Sequence, residues 1–90
     1  MNIRNNISEY LGEDSQSLFA DGFDDAIIGI SVGISSRNVI VYDYDKCVDV
    51  LKKRDGMTHE DAIDYIEYNT VNAYVGEYTP IFVKSCKEFE

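Results

Sequence analysis

The residues of this chain that could do chemistry are mostly carboxylates and tyrosines, and they are gathered rather than scattered. Between Met57 and Pro80 stand five acids and four tyrosines with no Lys or Arg. Glu60, Asp64 and Glu67 recur at i, i+4 and i+7, the spacing that lines side chains along one face of a helix, and Tyr68 follows directly. A second acidic group is Asp21, Asp24 and Asp25 around Gly22 and Phe23. Carboxylates in such groups either hold a divalent cation for hydrolysis or accept charge-assisted hydrogen bonds from the Arg and Lys of a partner. Tyrosine among them adds rigid, amphipathic contact area of the kind protein interfaces use. Tyr65 and Tyr68 border the inward stripe of their helix, with Tyr74 and Tyr78 just beyond, so half-buried packing is the competing reading.

Other chemistries find little to draw on. Nucleophilic catalysis needs a base beside the nucleophile, and the one histidine, His59, opens a helix among acids. An EF-hand loop starting at Asp43 would need Gly at its sixth position and Glu at its twelfth, where Val48 and Arg54 stand. No Gly-rich, phosphate-cradling loop followed by Lys occurs. The remaining catalytic alternative is a small Mg²⁺-dependent hydrolase or nuclease that uses Asp21, Asp24, Asp25 and Asp43. Against it, Asp and Gly at 21–25 also read as a turn that ends a helix and admits a strand.

Charge narrows the partners. Seventeen acids against eight bases give a net charge of -9, which repels nucleic-acid phosphates and acidic membranes over a Debye length of about 8–10 Å. Direct binding to nucleic acid or membrane is not expected; a positively charged protein surface is. Met1 to Gly12 lacks the apolar run of a signal peptide and no span of 18 apolar residues exists, so the expected location is the cytoplasm. There Cys47 and Cys86 read as reduced thiols, and the Asn6-Ile7-Ser8 sequon carries no meaning.

Ninety residues make a single domain that buries only about 60 % of its unfolded surface, a margin that a homodimer would widen. Residues 1–20 read as an N-terminal segment of one or two short helices, the second capped by Asp14 or Ser15, and 21–86 as an α+β core. Ile28, Ile30, Val32 and Ile34 alternate with Gly29, Ser31 and Gly33, predicting a strand with one aliphatic and one nearly bare face. A loop at Ser35–Asn38 then leads to an antiparallel partner, Val39–Tyr42. Helical spacing resumes from Asp43 to Arg54, with Cys47, Val48 and Leu51 inward and Asp55-Gly56 as the stop. Thr58 caps the next helix, whose inward stripe is Ala62, Ile63, Ile66, Thr70 and Ala73. Pro80 opens a last strand, Ile81 to Cys86. The expected fold is α+β in the order α(α)-β-β-α-α-β: a small, three-stranded, mainly antiparallel sheet covered by helices.

The runs DGFDDAIIGI, VYDYDKCVDVL, RDGMTHEDAIDYIEYN and AYVGEYTPIFV resemble a group of small acidic bacteriophage and prophage proteins. In that group DGFD, YDxDK, DGMTxEEA and GExTPIF recur in this order. The resemblance covers about residues 21–83, and Glu60-Asp61 stands where the group prefers a double Glu. It implies no catalytic residue and no cofactor. It implies a protein that binds a host component, including defence enzymes of restriction or BREX-type exclusion systems. The expectation is therefore an inhibitor whose contact face is Glu60, Asp64, Glu67 and Tyr68, with Asp21, Asp24 and Asp25 second. A sharper alternative is DNA mimicry, in which carboxylates imitate phosphates in a DNA-binding groove, although Lys46, Lys52, Lys53 and Arg54 interrupt the negative surface.

Overall fold

A computed structural model describes residues 2–12, 16–32, 38–71 and 76–89 of the chain. Helix α1 (Ile3–Leu11) is followed by strands β1 (Ile27–Ile30) and β2 (Ile40–Asp43), helices α2 (Tyr44–Asp55) and α3 (His59–Ile66), and strand β3 (Ile81–Val83). Short 3₁₀ turns cover Asp24–Ala26 and Cys86–Phe89, and a π-helical turn, Glu67–Val71, continues α3. The architecture is α+β in the expected order, α-β-β-α-α-β. None of the described helices is long and apolar enough to cross a membrane.

Helix boundaries follow from side-chain caps that satisfy otherwise orphaned N–H groups. Asn2 accepts from the Asn5 amide at 3.2 Å, Asp43 from Lys46 at 3.1 Å, and Thr58 from Asp61 at 3.1 Å. Gly56 adopts the left-handed conformation (φ 67°) that ends α2, and Lys52, Lys53 and Arg54 complement the negative end of that helix. Helix α2 buries Tyr44, Cys47, Val48 and Leu51, and α3 buries Ala62 and Ile66.

The sheet order is β1-β2-β3. Strands β1 and β2 pair antiparallel, whereas β2 and β3 run parallel, a pairing that needs a long crossover connection, which α2 and α3 supply. The sheet is therefore mixed. One residue in β1 changes which side chains face inward: the register slips between Ile27 and Gly29, so Ile27 lies opposite Tyr42 and Ile30 opposite Ile40. An extra residue in one strand reverses the alternation beyond it. Ile27 and Ile30 consequently pack on the core, while Ile28 is 51 % and Val32 77 % exposed. This corrects the single aliphatic face read from the sequence; Gly33, Ile34 and the loop residues 35–37 lie outside the described residues.

Residues 16–20 are not helical, contrary to the second short helix expected there, whose caps at Asp14 and Ser15 lie outside the described residues. Their polar groups are committed to the sheet instead. The Ala20 N–H donates to the Tyr42 hydroxyl oxygen at 2.7 Å, and the Ser17 hydroxyl bonds the Asn38 carbonyl. Phe19 and Ala20 then pack on the core beside Ile7 and Leu11 of α1. Strand β3 also stops earlier than expected, Cys86 belonging to the final 3₁₀ turn.

The core is built around Tyr42, Ile40, Leu51, Ile66 and Cys47. Phe82, paired with Tyr42 across the parallel register, stacks on its ring at 5.2 Å. Burial pushes the Cys47 thiol up to about 12, with nearby Asp43 adding to the effect, so this sulfur stays protonated; Cys86 is exposed.

Two expected outcomes follow. Because Ile30 faces inward and Ile28 does not, Ile28→Thr shifts urea-unfolding stability by less than about 0.5 kcal/mol, whereas Ile30→Thr costs roughly 1–3 kcal/mol. With a chromogenic disulfide reagent at about pH 8, one thiol equivalent reacts quickly, and the second waits for unfolding, because only the thiolate is nucleophilic.

Candidate functional site

Helix α3 carries the first-ranked acids on its outer side. Glu60, Asp64 and Glu67 are all exposed, and the helix changes pitch at the last of them, entering the π turn Glu67–Val71. Asn69 contributes to that change: its side-chain amide donates to the Tyr65 carbonyl at 3.1 Å, competing with the backbone ladder as Asn side chains do. The sequence predicts one continuous helix through Ala73; the α-helical part ends at Ile66, and Ala73 and Tyr74 lie outside the described residues. Single-turn π segments occur often at functional sites.

The π turn places Tyr68 on the surface, 86 % exposed. Asp64, Glu67 and Tyr68 line one shallow depression with Tyr65 and Asn69, so three of the four first-ranked residues meet there. Glu60 lies a turn earlier on the same helix. Glu67 is oriented from below by the Tyr44 hydroxyl, which donates to its carboxylate at 3.2 Å. The Lys84 ammonium stands 4.9 Å from the centre of the Tyr44 ring, a cation–π contact that brings positive charge close to this end of the ridge.

The second-ranked acids behave differently. Arg4 of α1 binds the Asp24 carboxylate at 2.9 Å and Asp21 at 3.5 Å, and its guanidinium lies 4.6 Å from the Phe19 ring centre. The hydrogen bond to Asp24 raises the Arg4 pKa above its ordinary value, against the lowering effect of burial. These two aspartates thus clip α1 to the start of the core. Asp25 is exposed in the 3₁₀ turn. Asp43, the remaining member of the Mg²⁺ alternative, caps α2. Among the described residues, no three His, Cys, Asp or Glu side chains are grouped so that they could hold a metal ion.

Sequence reasoning missed a cleft. Between the segment at 18–23 and the α3 side of the sheet lies an apolar hollow of about 430 Å³, lined by Leu18, Phe19, Phe23, Tyr65, Phe82 and neighbours. Tyr65 and Asn69 border both this hollow and the acidic depression, so the two lie side by side at the tyrosine. The one sequence signal was the Leu18-Phe19 pair, whose apolar side chains fit a helix reading equally well. Arg54 holds the same segment from α2: its guanidinium donates to the Gly22 carbonyl at 2.8 Å, binds Asp55 at 3.1 Å and lies 5.8 Å from the Phe23 ring centre.

Comparison with known proteins finds no matching family model, no similar curated protein and no similar solved structure.

Truncation separates the exposed tyrosine of α3's end from the cation that binds the second acidic group. Tyr68→Ala leaves unfolding stability within about 0.5 kcal/mol of the parent, since the ring is exposed, while Arg4→Ala costs about 1 kcal/mol and costs less at high salt. Urea denaturation at two ionic strengths checks both.

Proposed function

We propose that this chain is a non-enzymatic binding protein, phage-encoded, that inhibits a bacterial defence or nucleic-acid-handling protein by occupying a basic surface on it. Defence systems of the restriction or BREX type are the leading class of target. The observation that carries the reading is the exposed Tyr68 set beside Asp64 and Glu67 on a chain of net charge -9. An exposed aromatic ring flanked by carboxylates offers a rigid contact for apolar stems and charged acceptors for Arg and Lys heads, the pairing that interface hot spots use. The sequence resemblance to small acidic phage proteins supports the same class of action by analogy.

Electrostatic complementarity of this kind acts chiefly on encounter and specificity. The Glu60–Asp64–Glu67 row would steer a basic target, and Tyr65 and Tyr68 would hold it once docked. No turnover is required of the chain; the effect on the target is occlusion.

The test is affinity capture from nuclease-treated bacterial lysate on the immobilised chain, washed over a salt series, beside the triple variant E60K/D64K/E67K. One stoichiometric protein with a basic surface, retained by the parent and weakened at least about ten-fold by the triple reversal, is the expected result. Competition by duplex DNA for that partner would identify the mode of inhibition as mimicry. Equal retention by parent and triple variant would remove the ridge from the interface.

A further inference from the structure

We infer that the apolar cleft beside the acidic ridge receives a single aliphatic or aromatic anchor side chain from a basic segment of the partner. Ridge and cleft together then read a cationic sequence with one apolar residue in it. The inference rests on the reading of the ridge as a surface for basic partners, and adds to it the chemistry of the partner's contact segment.

Three observations carry it. The cleft, at about 430 Å³, falls in the ~300–1,000 Å³ range of sites that engulf a ligand group, and its walls are Leu18, Phe19, Phe23, Tyr65 and Phe82. It adjoins the acidic depression, since Tyr65 and Asn69 line both. A chain leaving the cleft past Tyr65 therefore meets Asp64 and Glu67.

The charge at the rim is negative in excess. The Asp21 side chain at the cleft is 95 % exposed although it lies 3.5 Å from Arg4. The two arginines near the cleft already have partners: Arg4 binds Asp24 and Asp21, and Arg54 binds Asp55 and the Gly22 carbonyl. Asp21 lines the cleft and Asp64 and Glu67 line the adjoining depression, so carboxylates stand on two sides of the apolar hollow, with Lys84 near the Glu67 end; this favours a segment whose apolar side chain is flanked by Lys or Arg. A second copy of this chain is a poor occupant, since two bodies of charge -9 repel.

Short fluorescein-labelled peptides of Lys and Arg, one with a central Leu and one with a central Ser, test this by fluorescence anisotropy. The expected result is about ten-fold tighter binding of the Leu peptide, in keeping with burial of one such side chain. That advantage should persist at about 300 mM salt, where exposed charge pairs are screened. Leu18→Arg, a change at an exposed position, should abolish the advantage; its added charge weakens both cationic peptides, so the ratio of the two affinities is the readout. The E60K/D64K/E67K variant should weaken both peptides alike. Tyr65→Ala serves as an independent second variant and should also remove the Leu advantage.

Equal affinities for the two peptides would overturn the cleft inference and leave the acidic ridge standing. Failure of both peptides to bind would overturn both. An uncharged peptide with the central Leu binding as tightly as the cationic one would show that the cleft does not select a basic segment. Self-association of the parent in sedimentation, abolished by Leu18→Arg, would assign the cleft to a second copy and overturn the inference as well.

Discussion

Tyr42 is the side chain on which the arrangement turns. It sits in the central strand with no solvent exposure, opposite Ile27 in one neighbouring strand and Phe82 in the other. Its ring stacks on Phe82 while its hydroxyl accepts the Ala20 N–H at 2.7 Å. A buried hydroxyl without a partner costs about 1–3 kcal/mol, so the ring is stabilised in this position by a group that comes to its oxygen. The segment before β1 supplies that group, and in doing so is held as a non-helical strip. Burial raises the Tyr42 pKa, the Ala20 bond opposing it in part. Ionisation is therefore disfavoured in the folded state: the contribution is fully present below the unfolded tyrosine pKa near 10 and is lost as pH rises above it.

That tether positions the surface proposed to bind. With Ala20 fixed to Tyr42, Leu18 and Phe19 form one wall of the cleft and Phe82, stacked on the same tyrosine, contributes to the lining. The Arg4 clip to Asp24 and Asp21 holds α1 against this strip from outside. On the other side, the π turn after α3 presents Tyr68 and Glu67, and Tyr65 is common to cleft and ridge. Cleft and ridge are consequently set by one core, and binding at both would require no rearrangement of the sheet.

Much of this was legible in the sequence because local chemistry and final structure agree. Asp43, Thr58 and Gly56 are boundary residues whose side-chain oxygens or left-handed backbone act within three residues, so their roles can be read without the fold. Cys47, Val48 and Leu51 keep the helical period and are buried. The acidic row on α3 was likewise visible as spacing. What could not be read depends on partners distant in sequence. The slip at Ile28 is fixed by pairing with β2, and no local signal in an alternating Ile and Gly run marks which residue is skipped. The non-helical path of 16–20 is tied to Tyr42, more than twenty residues from Ala20. The pairing of Asp21 and Asp24 with Arg4, and the cleft itself, arise only once α1 and the strip have docked.

The most direct test of this account is amide hydrogen exchange at Ala20, followed by NMR in the parent and in Tyr42→Phe. If Tyr42 organises the surface, the Ala20 amide is protected to about the same degree as the amides of β2, near the global limit. In the variant that protection falls selectively, together with that of neighbouring residues in the strip, while α2 and α3 keep theirs. Rapid exchange of the Ala20 amide in the parent, or an unchanged pattern in Tyr42→Phe, would contradict the claim that this one hydrogen bond holds the cleft against the ridge.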